Sequence, residues 1–187
     1  YENGDTGGGD IHESLMWVYS SYLEFIDFPI SSYTSYEGHP DVVWAGSENE
    51  YLVVWEYWKI PVSGDPYWAI AYRTVWDAEK TGSYLKGDVT ELLGYGLYTS
   101  DQLEPAVAYN PQSNKYMVVF EYVEDENNTS IWGQRLRKDL SGKTVQLGER
   151  FFVHNVNETK GEFPEVSYLA VNDQYLVTYT VSDNTSV

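Results

Sequence analysis

Pro105-Ala106-Val107-Ala108-Tyr109, a six-residue turn, and Tyr116-Met117-Val118-Val119-Phe120-Glu121-Tyr122 form the stretch that decides the fold, because the chain contains it three times. The first copy is Pro40-Asp41-Val42-Val43-Trp44 followed by Tyr51-Leu52-Val53-Val54-Trp55-Glu56-Tyr57. The third is Pro164-Glu165-Val166-Ser167-Tyr168 followed by Tyr175-Leu176-Val177-Thr178-Tyr179-Thr180-Val181. In every copy an aromatic stands four residues after the Pro and a Tyr stands eleven after it. An internal period of about 60 residues marks a repeat architecture. Runs rich in Val, Tyr, Phe and Trp, bounded by turn residues, are strands.

Around these hairpins the chain reads as β throughout. Residues 1–13 are a Gly- and Asp-rich lead-in, expected to be flexible. Within residues 14–39, Leu15-Met16-Trp17-Val18-Tyr19 and Tyr22-Leu23-Glu24-Phe25-Ile26-Asp27-Phe28 predict two strands. A helix from Ser14 to Phe25 competes, since Leu15, Val18, Tyr22 and Phe25 also fit helical spacing. Residues 40–104 predict four strands: Val42–Ala45, Tyr51–Trp58, Tyr67–Trp76 and Leu92–Thr99, the last with Gly94 and Gly96 at a bulge. Ser63-Gly64-Asp65-Pro66 is a strong turn between the second and third. Residues 105–163 repeat the plan with Val107–Tyr109, Tyr116–Val123, Ile131–Arg137 and a fourth strand in Val145–His154. Residues 164–187 supply two strands, Val166–Tyr168 and Tyr175–Val181. Four antiparallel strands per unit suit a propeller blade, and residues 14–187 read as one domain. An immunoglobulin-type sandwich needs about 100 residues per unit and fits badly.

The pattern Pro-x-Val-x-Tyr, Tyr-Leu-Val-Val-Trp and Ile-x-x-Gln-Arg, carried by Pro105, Val107, Tyr109, Tyr116, Ile131, Gln134 and Arg135, resembles the blade repeats of secreted and surface-anchored prokaryotic β-propeller proteins. The resemblance covers residues 40–187. It implies architecture and extracellular or cell-surface localisation, and it implies no activity, since propellers host many functions. No Trp-Asp ending of the WD40 kind and no kelch double Gly recurs across the three copies, and the sialidase Asp box is missing.

The chain carries 29 acidic and 11 basic residues, a net charge of −18. That argues against nucleic acid as a partner and against anionic membranes. It contains no Cys, which excludes disulfides and thiolate metal sites. No apolar run reaches transmembrane length. Tyr1 in place of Met reads as the start of a processed chain or of a fragment. Asn127, Asn128, Asn157 and Asn184 stand in glycosylation sequons within polar loop sequence, the setting an acceptor needs.

Candidate chemistry is sparse. Glu56 and Glu121 both lie sixteen residues after the repeat Pro, while Arg73 and Arg135 lie in the third strands. Turn centring predicts cross-strand ion pairs Glu56–Arg73 and Glu121–Arg135, structural in role. Glu124, Asp125 and Glu126 make an acidic turn whose hard oxygens suit calcium, the one cofactor the sequence suggests. His12, His39 and His154 lack metal-ligand spacing. Trp58, Tyr67 and Trp68 flank a turn and form a candidate aromatic platform for sugar. No catalytic motif is present, so the expectation is a non-catalytic structural or adhesive module. A carbohydrate-active or carbohydrate-binding propeller is the alternative, with Glu24, Asp27, Glu48 and Glu50 as its carboxylates.

The third copy lacks its last two strands and has Thr180 where Glu is expected. Met16-Trp17-Val18-Tyr19-Ser20 aligns with Ile131-Trp132-Gly133-Gln134-Arg135, placing Ser20 at the Arg position. Residues 14–32 are thus expected to complete the unit begun by residues 164–187. Three assemblies would satisfy this: a piece of a longer propeller, a ring closed by two chains, or strand exchange between molecules into oligomers or filaments.

Overall fold

The computed structural model describes residues 12–18, 23–31, 35–76, 87–92, 100–155 and 159–183. Among them every regular element is a strand, arranged in open sheets that do not close into a ring. Among the described residues no helix is long and apolar enough to cross a membrane.

The N-terminal pair resolves in favour of strands. β1 (His12–Val18) and β2 (Leu23–Pro29) form an antiparallel two-stranded sheet. Among the described residues they pair with each other and not with the third copy; Ser20 lies outside that set. The first copy builds a four-stranded antiparallel sheet from β3 (Glu37–Ala45), β4 (Glu50–Lys59), β5 (Tyr67–Trp76) and β6 (Thr90–Glu91). β6 pairs Thr90 and Glu91 with Tyr72 and Ala71; of the expected fourth strand at Leu92–Thr99 only Leu92 is described, and residues 93–99 lie outside the described set. The second copy comprises β7 (Gln102–Asn110), β8 (Lys115–Asp125) and β9 (Asn128–Lys138). Its expected fourth strand is two short ones, β10 (Thr144–Gln146) and β11 (Phe151–His154), both paired with β9. The third copy contributes β12 (Thr159–Leu169) and β13 (Gln174–Asp183). One parallel bridge, Lys160 to Thr129, ties β12 to β9, and β12 then runs on against β7 and β8.

By hydrogen bonding the second and third copies form one seven-stranded sheet, β13-β12-β9-β8-β7 with β10 and β11 on β9, but the β12–β13 hairpin folds over the face of β7 and β8. The first-copy sheet, the β7–β11 layer (the second sheet below) and this hairpin (the third) therefore stack face to face, since strands apolar on both sides must be covered on both sides. Leu52, Val54, Ile70, Tyr72 and Leu92 of the first sheet meet Val107, Tyr109, Tyr116, Val118, Phe120 and Leu136 of the second. The second sheet's opposite face, Ala106, Ala108, Met117 and Val119, receives Val166, Tyr168, Tyr175 and Val177 of the third. The first sheet's outer face holds Val53, Trp55, Ala71 and Val75 under Ile30.

Two backbone irregularities recur at fixed distances from each repeat Pro. The residues just before it, His39, Glu104 and Phe163, all have φ between 45° and 55°. The ladder slips at the same place in each copy, between Gly38 and Asp41, Leu103 and Ala106, and Glu162 and Glu165. Nine residues after the Pro, Asn49, Asn114 and Asp173 have φ of 53°, 51° and 51°. These close the tight turns of the hairpins, where a short polar side chain best tolerates the left-handed region. The two aromatics named in each copy are ring partners: Trp44–Tyr51, Tyr109–Tyr116 and Tyr168–Tyr175, at 4.6, 5.0 and 5.5 Å between centroids.

Asn114 combines the strained φ with side-chain bonds: its Oδ1 accepts from the Tyr109 hydroxyl (2.6 Å) and Ser47 Oγ (2.8 Å), and its Nδ2 donates to Glu48 (2.8 Å). Replacing Asn114 by Gly removes the bonds alone, whereas Ala adds the left-handed penalty of about 1 kcal/mol. Urea unfolding should therefore rank wild type, Asn114→Gly and Asn114→Ala in falling stability.

Candidate functional site

Several buried or part-buried polar groups lie on the seams between stacked sheets. Glu56, at the end of β4, accepts a hydrogen bond at Oε2 from the Glu104 backbone N–H of the second sheet (3.0 Å). Glu121, its counterpart in β8, accepts at Oε1 from the Phe163 N–H of the third sheet (2.7 Å). Both donors are the strained residues before the next copy's Pro. The bulge takes that N–H out of the ladder and leaves it to an acceptor outside it. The carboxylate sixteen residues after one Pro thus holds the bulge of the copy that follows. A second carboxylate assists at the first seam: Asp41 Oδ2 accepts the Val107 N–H at 2.7 Å.

This arrangement corrects the expected ion pairs. Glu56 lies opposite Ile70 and Arg73 opposite Val53; Glu121 lies opposite Ile131 and Arg135 opposite Met117. The hairpins are centred closer to the first strand than turn composition suggested, so neither Glu faces its Arg. Arg73 instead donates to the Gly87 carbonyl (2.5 Å) and the Ile30 carbonyl (2.6 Å), fastening the segment after β2 to the first sheet. His39 Nδ1 contacts Glu56 (2.8 Å) and Glu104 (3.4 Å) at the outer end of the first seam.

Two ion pairs had no local sequence signal. Lys59 Nζ bonds both oxygens of Glu91 at 2.6 Å. Glu50, fully buried, accepts from Lys138 Nζ (2.5 Å) and from the Tyr116 hydroxyl (2.7 Å) across the first seam. Burial and the adjacent Glu50 push the Tyr116 hydroxyl pKa far up, keeping it a donor. Beside this pair, β5, β6 and the β9–β10 turn frame a groove of about 760 Å³. Trp76, Thr74, Asp88, Lys138, Lys143 and Gln146 are among its lining, and Lys138 Nζ sits 5.1 Å from the Trp76 ring centre.

The remaining candidates do not gather. Among the described residues no three of His, Cys, Asp and Glu come together to hold a metal. In the acidic turn, Asp125 accepts from the Asn127 N–H and from Asn128 Nδ2, and Glu124 accepts from Ser130, so two of the three calcium candidates are engaged within the turn. Those bonds hold the Asp125 pKa low. Asn127 is exposed at the turn, and Asn128 opens β9; Asn157 and Asn184 lie outside the described residues. Glu48 accepts from Asn114 and Glu50 is buried in its pair, while the side chains of His12, Glu24 and Asp27 lie outside the description. His154 Nε2 meets Thr159 Oγ1 at 3.2 Å. Trp58 and Trp68 pack on each other edge to face, and Tyr67 is buried under Lys59, so the aromatic platform is a cross-strand cluster. No protein-family model matches the chain, and no curated protein matches it.

Burial raises the Glu121 pKa, with Glu104, Glu162 and Glu56 adding to the effect against the Phe163 N–H. A carboxylate whose folded pKa exceeds its unfolded one costs stability while ionised. The cost lifts as pH falls through the folded pKa and is gone below the unfolded one. Glu121→Gln keeps an acceptor and removes the charge. Its stability gain over wild type should be largest at neutral pH and vanish in acid, as read by urea midpoints. Glu121→Ala removes the acceptor of the part-buried Phe163 N–H and should cost about 1 kcal/mol. Lys138→Ala leaves Glu50 as an unpaired buried charge. It should cost about 3–5 kcal/mol in the same assay, and the Glu50→Gln, Lys138→Met double variant should recover most of that loss.

Proposed function

We propose that this chain is a non-catalytic structural or adhesive module of an extracellular or cell-surface protein, built from propeller-type blade repeats. The observation that carries this reading is the seam. The acidic side chains placed at repeat-equivalent positions hold the next sheet's backbone. The shared slip before each Pro and the shared aromatic pairs support the blade reading of the sheets. Surface or secreted placement rests on the net charge of −18 and on the sequons at Asn127, Asn128, Asn157 and Asn184.

The groove beside Trp76 supports a second reading, a carbohydrate-binding module. An aromatic face with Thr, Gln and charges of both signs around it suits a neutral polyhydroxylated ligand. A panel of oligosaccharides, assayed for retention and for turnover, separates the readings. The structural module is expected to retain none tightly and to cleave none. Retention abolished by Trp76→Ala would replace it with the lectin reading. Turnover abolished by Glu48→Gln would replace it with a glycosidase.

A further inference from the structure

The long hairpins of the first and second copies end side by side. Asp101 ties them together: its Oδ1 accepts the Trp68 N–H of β5 (2.8 Å), and its carbonyl accepts the Val123 N–H of β8 (2.9 Å). The two tips differ. In the second copy the ladder runs out to Asp125 and Asn128, leaving Glu126 and Asn127 as a two-residue turn. In the first copy it stops at Lys59 and Tyr67, and a seven-residue loop, residues 60–66, stands beyond it. Insertions in one copy of a repeat map to loops on one face, often the binding face.

The inserted loop carries aliphatics where turns ordinarily carry Gly, Asn, Asp or Ser. Ile60 is 74% exposed and Val62 95%. Behind them a row of aromatics crosses the sheet. Trp58 and Trp68 are ladder partners with ring centres 5.4 Å apart. The exposed Tyr36 accepts the Trp58 N–H at its carbonyl (2.8 Å). Trp58 follows Val54 by four residues and Trp68 precedes Ile70 by two, so strand alternation puts both rings on the face turned to the second copy. The second copy's tip brings Glu124, Asp125 and Glu126, all exposed, and the loop itself adds the exposed Asp65. Of the cations at this end, Lys59 is bound to Glu91, and Lys160, bridged to Thr129, acts on Asp125.

Stacking does not cover these tips. The β8–β9 turn belongs to the middle layer, with sheets on both faces, yet its residues 124–127 are exposed. A layer stacked above or below a sheet therefore leaves its tip open. Two aliphatics, an aromatic row and four carboxylates together suit a cation on an apolar stem. Aromatic faces attract guanidinium and ammonium groups, carboxylates pair with them, and aliphatics take up the stem or an apolar neighbour. The same acids repel an anionic lipid surface.

We infer that this end of the stack docks an extended basic segment of a partner protein, rich in Arg or Lys and carrying apolar residues. The inference rests on the adhesive-module reading and names the class of partner. Ile60 and Val62 receive the apolar side chains. The cations lie between the Trp58–Trp68 pair and the carboxylates of Asp65, Glu124, Asp125 and Glu126.

Calorimetric titration of the intact chain with three short synthetic peptides tests this: Arg alternating with Leu, Arg with Gly, and Glu with Leu. The first should bind best, the second more weakly and the third not at all. Binding of the first should weaken as salt rises from about 0.05 to about 0.5 M. Ile60→Ser combined with Val62→Ser should weaken it at least about tenfold and leave the Arg–Gly peptide unmoved. Asp65→Asn combined with Glu126→Gln should weaken both Arg peptides about threefold or more. All four positions are exposed, so the β circular dichroism spectrum should not change. Should either double variant alter it, Val62→Ser or Glu126→Gln alone takes its place. Equal binding of the Arg–Leu peptide by wild type and loop variant overturns the inference and assigns binding to the general charge of −18. Indifference to the acid variant overturns it too, as does an absence of binding. So does flotation of wild type, but not of the loop variant, with phosphatidylcholine vesicles, which would make the tip a lipid anchor. Each of these outcomes leaves the module reading standing. Oligosaccharide retention or turnover removes that reading whatever the peptides do.

Discussion

The constraint on which the stack depends is an N–H that the ladder cannot use. Each repeat Pro lacks a donor and restricts the residue before it, normally to extended backbone. Here that residue sits at positive φ in all three copies, a conformation costing on the order of 1–3 kcal/mol that persists only where its surroundings fix it. The surroundings are the neighbouring sheet. Glu56 and Glu121 reach across to the freed N–H groups of Glu104 and Phe163. A sheet's local irregularity thereby becomes a contact point for its neighbour, and the order of stacking follows the order of the chain.

The apolar part of each seam supplies most of the free energy and little of the direction. Burying side chains such as Phe120, Leu52 or Val118 contributes roughly 1.5–3 kcal/mol each, and an apolar face tolerates several sliding arrangements. The seam hydrogen bonds do not. Tyr116 reaches Glu50, and Tyr175 reaches the Lys115 carbonyl at 3.2 Å. Both hydroxyls lie eleven residues after their Pro and both partners ten after the previous one, so one register satisfies both seams. Burial pushes the Tyr175 pKa up to about 12, so this hydroxyl, like that of Tyr116, is a donor at neutral pH.

How much of this could be read from sequence follows from the range of each interaction. The strands announce themselves, because Tyr116–Tyr122 and its counterparts are apolar on both faces and the turns between them hold Asn, Gly and Asp. The Glu–Arg facing did not survive, because matching charges across a hairpin assumes that a charge finds its partner in the adjacent strand. Glu56 and Glu121 find theirs 48 and 42 residues away, in backbone of the next sheet. The fourth strand of the second copy splits into β10 and β11 around Leu147 to Arg150, where no apolar alternation signals the break. Glu50–Lys138 spans 88 residues, and nothing in the local sequence of either residue marks it as buried.

The same logic explains why the neighbouring layer, and not residue type or repeat position, decides burial. Val42 and Val107 are identical in chemistry and in strand position, yet one is exposed and the other buried. The difference lies wholly in whether a preceding sheet covers them. Conversely the third copy carries Ser167, Thr178 and Thr180 where the second has Ala108, Val119 and Glu121. Those three stand exposed while their counterparts are buried, so the polar residues fall on the positions that no sheet covers among the described residues.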